Sequence, residues 1–111
     1  MKKLKIYVAG PITNTDTEVV KRNINNAKYV GEQLFKKGHL PYVPHTHFSG
    51  WDVDMHEHYD ILMEHGLNIL SNWADAIFYL GASNGADIEK QKAEQLKLKI
   101  FTSLSDIEKA E

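Results

Sequence analysis

The chain has 111 residues, 42% of them hydrophobic and 25% charged, with no cysteine and a formal net charge of -2. This composition suits one soluble globular domain over residues 1–111 and leaves too little length for a second. It excludes a disulfide framework, a thiol nucleophile and a cysteine-ligated metal, and the slightly acidic balance excludes a general attraction to nucleic acid or anionic membrane.

No apolar run approaches the roughly 20 residues that cross a bilayer. Met1-Lys2-Lys3 is basic, but the apolar run after it is broken at Gly10-Pro11 and does not read as a signal peptide, so a cytoplasmic protein is expected.

Lys5-Ile6-Tyr7-Val8-Ala9 is a β-branched and aromatic run stopped by Gly10-Pro11, which predicts a strand running straight into a loop. Gly10 to Asp16 is rich in Gly, Pro, Thr and Asn and reads as a loop able to line a site. From Thr17 to Lys37 the apolar residues Val20, Ile24, Ala27, Val30, Leu34 and Phe35 recur near the helical period, with Gly38 as the stop. Gly38 to Pro44 predicts a turn and a short strand whose prolines fit a sheet edge.

His45 to Met55 lacks a period and is expected as a mobile loop over the carboxyl end of the sheet. Residues 56–73 resume a helical pattern that Gly66 weakens in the middle. A third strand over Asp75–Leu80, a helix over Gly85–Leu96, a fourth strand over Leu98–Phe101 and a short polar helix from Ser105 complete the chain. Alternating strands and helices call for a parallel sheet covered on both faces. The expected strand order is 2-1-3-4, in a sheet of four to five strands, with the winding reversing between strands one and three. Ligands bind at that crevice, so the loops after Ala9 and Leu80 would face it.

The second of those loops carries the strongest chemical signal. Ser83-Asn84-Gly85-Ala86-Asp87-Ile88-Glu89 reads as tight loop and helix N-terminus: Ser83 or Asn84 caps, Gly85 lets a ligand approach the backbone, and the free N–H groups attract anions. Glu89 would lie where the helix dipole favours its ionised form, as acids in first turns commonly do for purely structural reasons. A held carboxylate beside an anion-binding loop is also equipment for attack on the anomeric carbon of a sugar. Tyr7, two residues before the first loop, would point into the core or into the crevice.

Lys5-Ile6-Tyr7-Val8-Ala9-Gly10-Pro11-Ile12, Gly38-His39 leading to Pro44-His45, Ala74-Asp75-Ala76-Ile77, and Ser83-x-Gly85-x-x-x-Glu89 followed by Ala93 together resemble the nucleoside 2-deoxyribosyltransferase superfamily, which includes 2′-deoxynucleoside 5′-monophosphate N-glycosidases and small phage-type relatives. The resemblance implies a flavodoxin-like, Rossmann-like three-layer α/β/α fold. It implies that Glu89 attacks C1′ of a 2′-deoxynucleoside or its 5′-monophosphate, giving a covalent glycosyl-enzyme resolved by water or by a second base. Tyr7 would position that glutamate, while Ser83, Asn84 and Gly85, with Gly10, Ile12 and Thr13, would hold the substrate. The glycosidases have Ser and Arg in the first loop where this chain has Pro11 and Thr13, so one phosphate contact and one positive charge are missing.

The resemblance also implies a second carboxylate on the helix before Ala74-Asp75. Leu67 falls near that register, and Glu64, then Asp60, lie one and two turns earlier on one helical face. Glu64 is the choice, with Asp60 in the substrate site. A homodimer or larger homo-oligomer completing the pocket is implied, with Trp73, Tyr59 and Met63 as apolar surface or as core. No cofactor is required; the partner is a small nucleoside or nucleotide, not a nucleic-acid polymer or a membrane.

Six histidines invite a metal reading, but His45-x-His47 and His56-x-His58 lack the i, i+4 spacing that puts two imidazoles on one helical face, and no metal is expected. His45 would meet the base or sugar at the crevice, and His39 would serve the turn. Phe48 and Trp51 could stack on a base or pack down as a lid. Asp52 and Asp54 are expected to stay solvated. A catalytically silent nucleotide-binding module with the same crevice is the alternative reading.

Overall fold

Alternate side chains of an extended strand point to opposite faces, and in β1 (Lys5–Ala9) both sets are apolar or aromatic: Ile6 and Val8 on one face, Tyr7 and Ala9 on the other. Such a strand belongs in the middle of a covered sheet. In the computed structural model, which describes all of residues 1–111, β1 lies between β2 (Leu40–Tyr42) and β3 (Ala76–Tyr79), with β4 (Lys99–Phe101) beyond β3. All pairings are parallel and the order is β2-β1-β3-β4, as expected, with four strands. The register sets Tyr7 opposite Tyr42 on one side and Ile77 on the other. Pro41 sits in an edge strand, where a missing N–H is tolerated.

α1 (Thr17–Lys36) is capped by Asp16, whose carboxylate accepts the Glu18 N–H at 2.9 Å, and is followed by Gly38 at φ 87°, a left-handed turn that suits glycine. Its Ala27, Val30 and Leu34 pack on Ile6, Val8, Ala76 and Phe78. The opposite face is covered by α3 (Tyr59–Asn72) and α4 (Asn84–Gln95), through Leu70, Ala86 and Ala93. The result is a three-layer α/β/α arrangement, and no helix is long and apolar enough to cross a membrane.

Three local expectations differ from the structure. The segment from His45 opens with a single helical turn, α2 (Pro44–His47), because Pro44 at its first position has its φ preset and needs no N–H partner. The helix expected from residue 56 starts at Tyr59. The tail forms a 3-10 turn over Leu104–Asp106, capped by Ser103, instead of a polar helix. That tail is tied down by the chain before β2: His39 Nδ1 accepts the Leu4 N–H at 3.1 Å, its Nε2 donates to Glu108 O at 2.8 Å, and Lys37 Nζ donates to Ile107 O at 2.5 Å. His39, buried, thus serves the turn and also ties the tail to it.

Candidate active site

The loops after β1 and β3 diverge at the carboxyl edge of the sheet, where the winding reverses, and between them opens a cavity of about 120 Å³, partly open to solvent. The two loops touch at Gly10, where an added Cβ would lie 2.8 Å from the Leu80 Cβ. Such a cavity is small beside the roughly 300–1,000 Å³ of drug-sized pockets, so it takes a sugar-sized group and leaves an attached group at the rim.

At its floor lies Glu89, 8% exposed, in the second turn of α4. Its helix buries Ala86, Glu89 and Ala93, so the carboxyl occupies a stripe where amphipathic spacing calls for an apolar residue. The Tyr7 hydroxyl, reaching from β1 through the same face of the sheet, donates a hydrogen bond to Glu89 Oε2. Burial pushes the Glu89 carboxyl up to about 7, and the Tyr7 hydrogen bond pulls in the opposite direction. Burial first, and then the Glu89 charge, push the Tyr7 hydroxyl far above the usual tyrosine range, so it remains a donor. The expectation that the helix dipole holds Glu89 ionised is therefore corrected: Glu89 lies beyond the first turn, and desolvation dominates. The exposed first-turn acid is Asp87, which accepts the Tyr79 hydroxyl at 2.6 Å.

Gly66 explains itself against this pair. It weakens α3 as a helix, but a Cβ there would fall 2.9 Å from Glu89 Oε2 and closer still to the Tyr7 hydroxyl. The glycine makes the space in which the carboxyl and the phenol meet.

The start of α4 forms the second wall. Ser83 is the cap, its Oγ accepting the Ala86 N–H at 3.1 Å, which leaves the Asn84 and Gly85 N–H groups ahead of the first intrahelical bond. Asn84 donates to the Tyr59 hydroxyl at 3.1 Å, and α3 crosses close to Gly85, where a Cβ would stand 3.2 Å from Met63 Sδ. From the first loop, Gly10, Ile12 and Thr13 also line the cavity. His45 does so from α2, with Nε2 donating to Pro11 O at 3.0 Å. Burial lowers the pKa of His45 and its buried Nδ1 has no partner, so it is a neutral imidazole presenting an acceptor. No Lys or Arg lines the cavity.

Two expected residues do not reach it. Tyr59, Leu62, Met63 and Gly66 face the cavity at helical spacing, which turns Asp60 and Glu64, each one residue further on, about 100° away. Both are exposed, so the carboxylate expected from Glu64 and the contact expected from Asp60 are absent from this cavity. Leu67, the other candidate register, packs against the α3/α4 core. Tyr59 and Met63, expected as apolar surface or core, line the cavity instead, while Trp73 is half-buried 6.4 Å from the Tyr42 ring. Phe48 reaches the cavity; Trp51 stands edge-on to it at 4.8 Å and is 55% exposed. Asp52 and Asp54 are exposed, Asp54 accepting the His56 N–H at 2.9 Å.

Sequence reasoning missed Tyr42, Gly66 and His65, all of which line the cavity. Tyr42 had a signal, since parallel pairing of β1 with the edge strand brings two tyrosines together; their ring centroids are 5.5 Å apart. Burial and the Glu89 charge push the Tyr42 hydroxyl up to about 12.

The fold and the cleft thus define a doubly wound α/β protein with a buried carboxyl–phenol pair at its switch point. Residues 4–103 match a family described as a domain of unknown function, DUF7768, and the chain belongs to that family. No curated protein matches it.

Proposed function

We propose that the protein breaks, or transfers across, the N-glycosidic bond of a 2′-deoxynucleoside or its 5′-monophosphate through a covalent glycosyl-Glu89 intermediate, as its resemblance to nucleoside 2-deoxyribosyltransferases implies. The observation that carries the reading is the Glu89 carboxyl, buried at the floor of a sugar-sized cavity, fixed by the Tyr7 hydroxyl and relieved of steric contact by Gly66. Desolvation raises the energy of the carboxylate, and a carboxylate so placed gains most by forming a bond to an electron-poor carbon. The Tyr7 hydrogen bond keeps one oxygen engaged and directs the other. The sugar's 5′ end lies toward Ser83, Asn84 and Gly85, whose N–H groups donate to a hydroxyl or a phosphate oxygen. With no Lys or Arg on the cavity wall, the uncharged nucleoside is the favoured form. The reaction uses no cofactor. A homodimer or larger homo-oligomer of a cytoplasmic protein is part of this reading, and sedimentation velocity tests the assembly.

Chromatography of free base released from deoxy- and ribonucleosides and their 5′-monophosphates, with and without a second base as acceptor, tests the chemistry. Release by the natural protein and none by Glu89→Ala is the expected result. Lack of release from every member by the folded protein would overturn it. The absence of a second carboxylate from the cavity favours one other reading, a silent nucleotide-binding module. In that case Glu89→Gln keeps nucleotide affinity and no turnover exists to lose.

A further inference from the structure

We propose that His65 is the catalytic residue that protonates the departing base, an inference that rests on the glycosidic reading above. Beside the cavity that holds Glu89 lies a second, apolar cleft of about 270 Å³, walled by Trp51, Val53, Met55 and Ile61. The two clefts share three side chains: Phe48, Leu62 and His65. A sugar seated over Glu89 fills the first, and a flat heterocycle attached at C1′ crosses to the second, whose apolar and aromatic walls suit it. His65 stands at the junction, where the glycosidic nitrogen passes.

The chemistry requires a donor there. Glu89 Oε attacks C1′, the C1′–N bond breaks, and its electron pair goes to the base, which leaves slowly as an anion and readily once a ring nitrogen receives a proton. Of the other titratable side chains on the two walls, Tyr7 donates a hydrogen bond to Glu89, His45 donates its Nε2–H to Pro11 O, and Tyr59 stands at the far end, by Gly85. His58 lines the second cleft alone, away from the cavity that holds Glu89. Tyr42 Oη stands 3.5 Å from His65 Nδ1, and the His65 ring lines both clefts. The rings facing His65 are Tyr42 on β2, His47 at the end of α2 and Phe48 just after it, with ring centroids at 6.4, 5.6 and 5.3 Å, and no acidic side chain forms an ion pair with it. Imidazole is the side chain suited to giving a proton near neutral pH. His65 Nε2–H passes to the base; the neutral ring then takes a proton from the water that hydrolyses the glycosyl ester, restoring both His65 and the Glu89 carboxylate. With a base as acceptor, the same ring takes the proton that the incoming nitrogen loses.

The test compares leaving groups. His65→Gln is expected to slow base release from the best deoxynucleoside by 100-fold or more, in line with the roughly 10²–10⁴-fold contribution of general acids. It should leave the first-turnover burst of 4-nitrophenol from 4-nitrophenyl 2-deoxyriboside, a step that needs no proton, within about threefold, while Glu89→Gln abolishes both. A variant that slows neither substrate, or both alike, overturns the role of His65 while the Glu89 reading stands. A natural protein that releases nothing overturns both. Should it accept only nucleosides, their bases decide: the defect of His65→Gln must shrink as the base becomes a better leaving group, and a defect equal for all bases overturns the proposal.

Discussion

On the α1 face of the sheet, Ile6, Val8, Ala76 and Phe78 meet Ala27, Val30, Leu34 and Ile107, and every buried member of that cluster is apolar. One residue along the same strands, Tyr7, Ala9 and Ile77 meet Leu70, Ala86 and Ala93, and Glu89 is buried beside them against a helix with a glycine at its centre. The two faces share a backbone and a register, so they differ only in what the alternating side chains are. The first has nothing to satisfy and stabilises by area alone. The second carries a desolvated carboxyl, a cavity and a weakened helix, each of which lowers stability. These costs fall only on the face that carries the cavity, so the two should respond to substitution in opposite ways.

The largest contrast is expected at Glu89. Glu89→Gln should lower kcat/KM by at least about 10⁴-fold, roughly 5.5 kcal/mol. It should also make the protein more stable at neutral pH. The folded carboxyl titrates near 7 against an ordinary 4.5, so between those values the folded state holds a proton that the unfolded state has lost. Stability contributed by this group is therefore present below 4.5, falls as pH rises through 7, and is gone above it, a loss of about 3 kcal/mol. Unfolding free energies of the natural protein from urea titrations at pH 4.5 and pH 8 should differ by about this amount more than those of Glu89→Gln. Equal differences would show that Glu89 is not the titrating group.

On the other face the order reverses. Leu34 is fully buried, and Leu34→Ala should cost about 2–5 kcal/mol of stability while kcat per folded molecule stays within about twofold. A large drop in kcat would mean that the closed face also sets the geometry of the site.

Gly66→Ala joins the two arguments. In an ordinary helix the change stabilises by about 0.5–1 kcal/mol. Here the new methyl meets Glu89 Oε2 and the Tyr7 hydroxyl, so a net loss of about 1–2 kcal/mol and a roughly tenfold or greater loss of turnover are expected. A gain in stability with full activity would mean that the carboxyl–phenol pair has room to spare.

The same contrast explains what the sequence made legible. The strands, their order and the switch point followed from period and punctuation, which are local: Gly10-Pro11 stopped β1, and Gly38 stopped α1. The placement of Tyr7 and Glu89 beside the switch point was legible because Tyr7 shortly precedes Gly10-Pro11 and Glu89 shortly follows Ser83-Asn84-Gly85. The α3 wall was not, since which residues of a helix face a cavity depends on its rotation about its axis, and an error of one residue turns the face by about 100°. That rotation removes Asp60 and Glu64 from the cavity and gives it Tyr59, Met63 and Gly66. The direction of the Glu89 shift was missed for a related reason: the dipole can be read from position along a helix, but burial depends on what packs across it.

The smallest and most selective of these effects is expected from Tyr7→Phe. The phenol donates to the ionised carboxyl, and this hydrogen bond is what opposes burial in setting the Glu89 pKa, so its removal must raise that pKa further. A charge-assisted bond of about 1.5–3 kcal/mol corresponds to roughly one to two pKa units. The acid-side midpoint of kcat/KM, expected near 7 for the natural protein, should therefore move to about 8 or 9. Activity at pH 7 should fall about tenfold and return as the pH is raised. A tyrosine that merely filled the core would cost stability without moving that midpoint, so the pH profile, rather than the rate at one pH, separates a phenol that tunes the nucleophile from one that packs beside it.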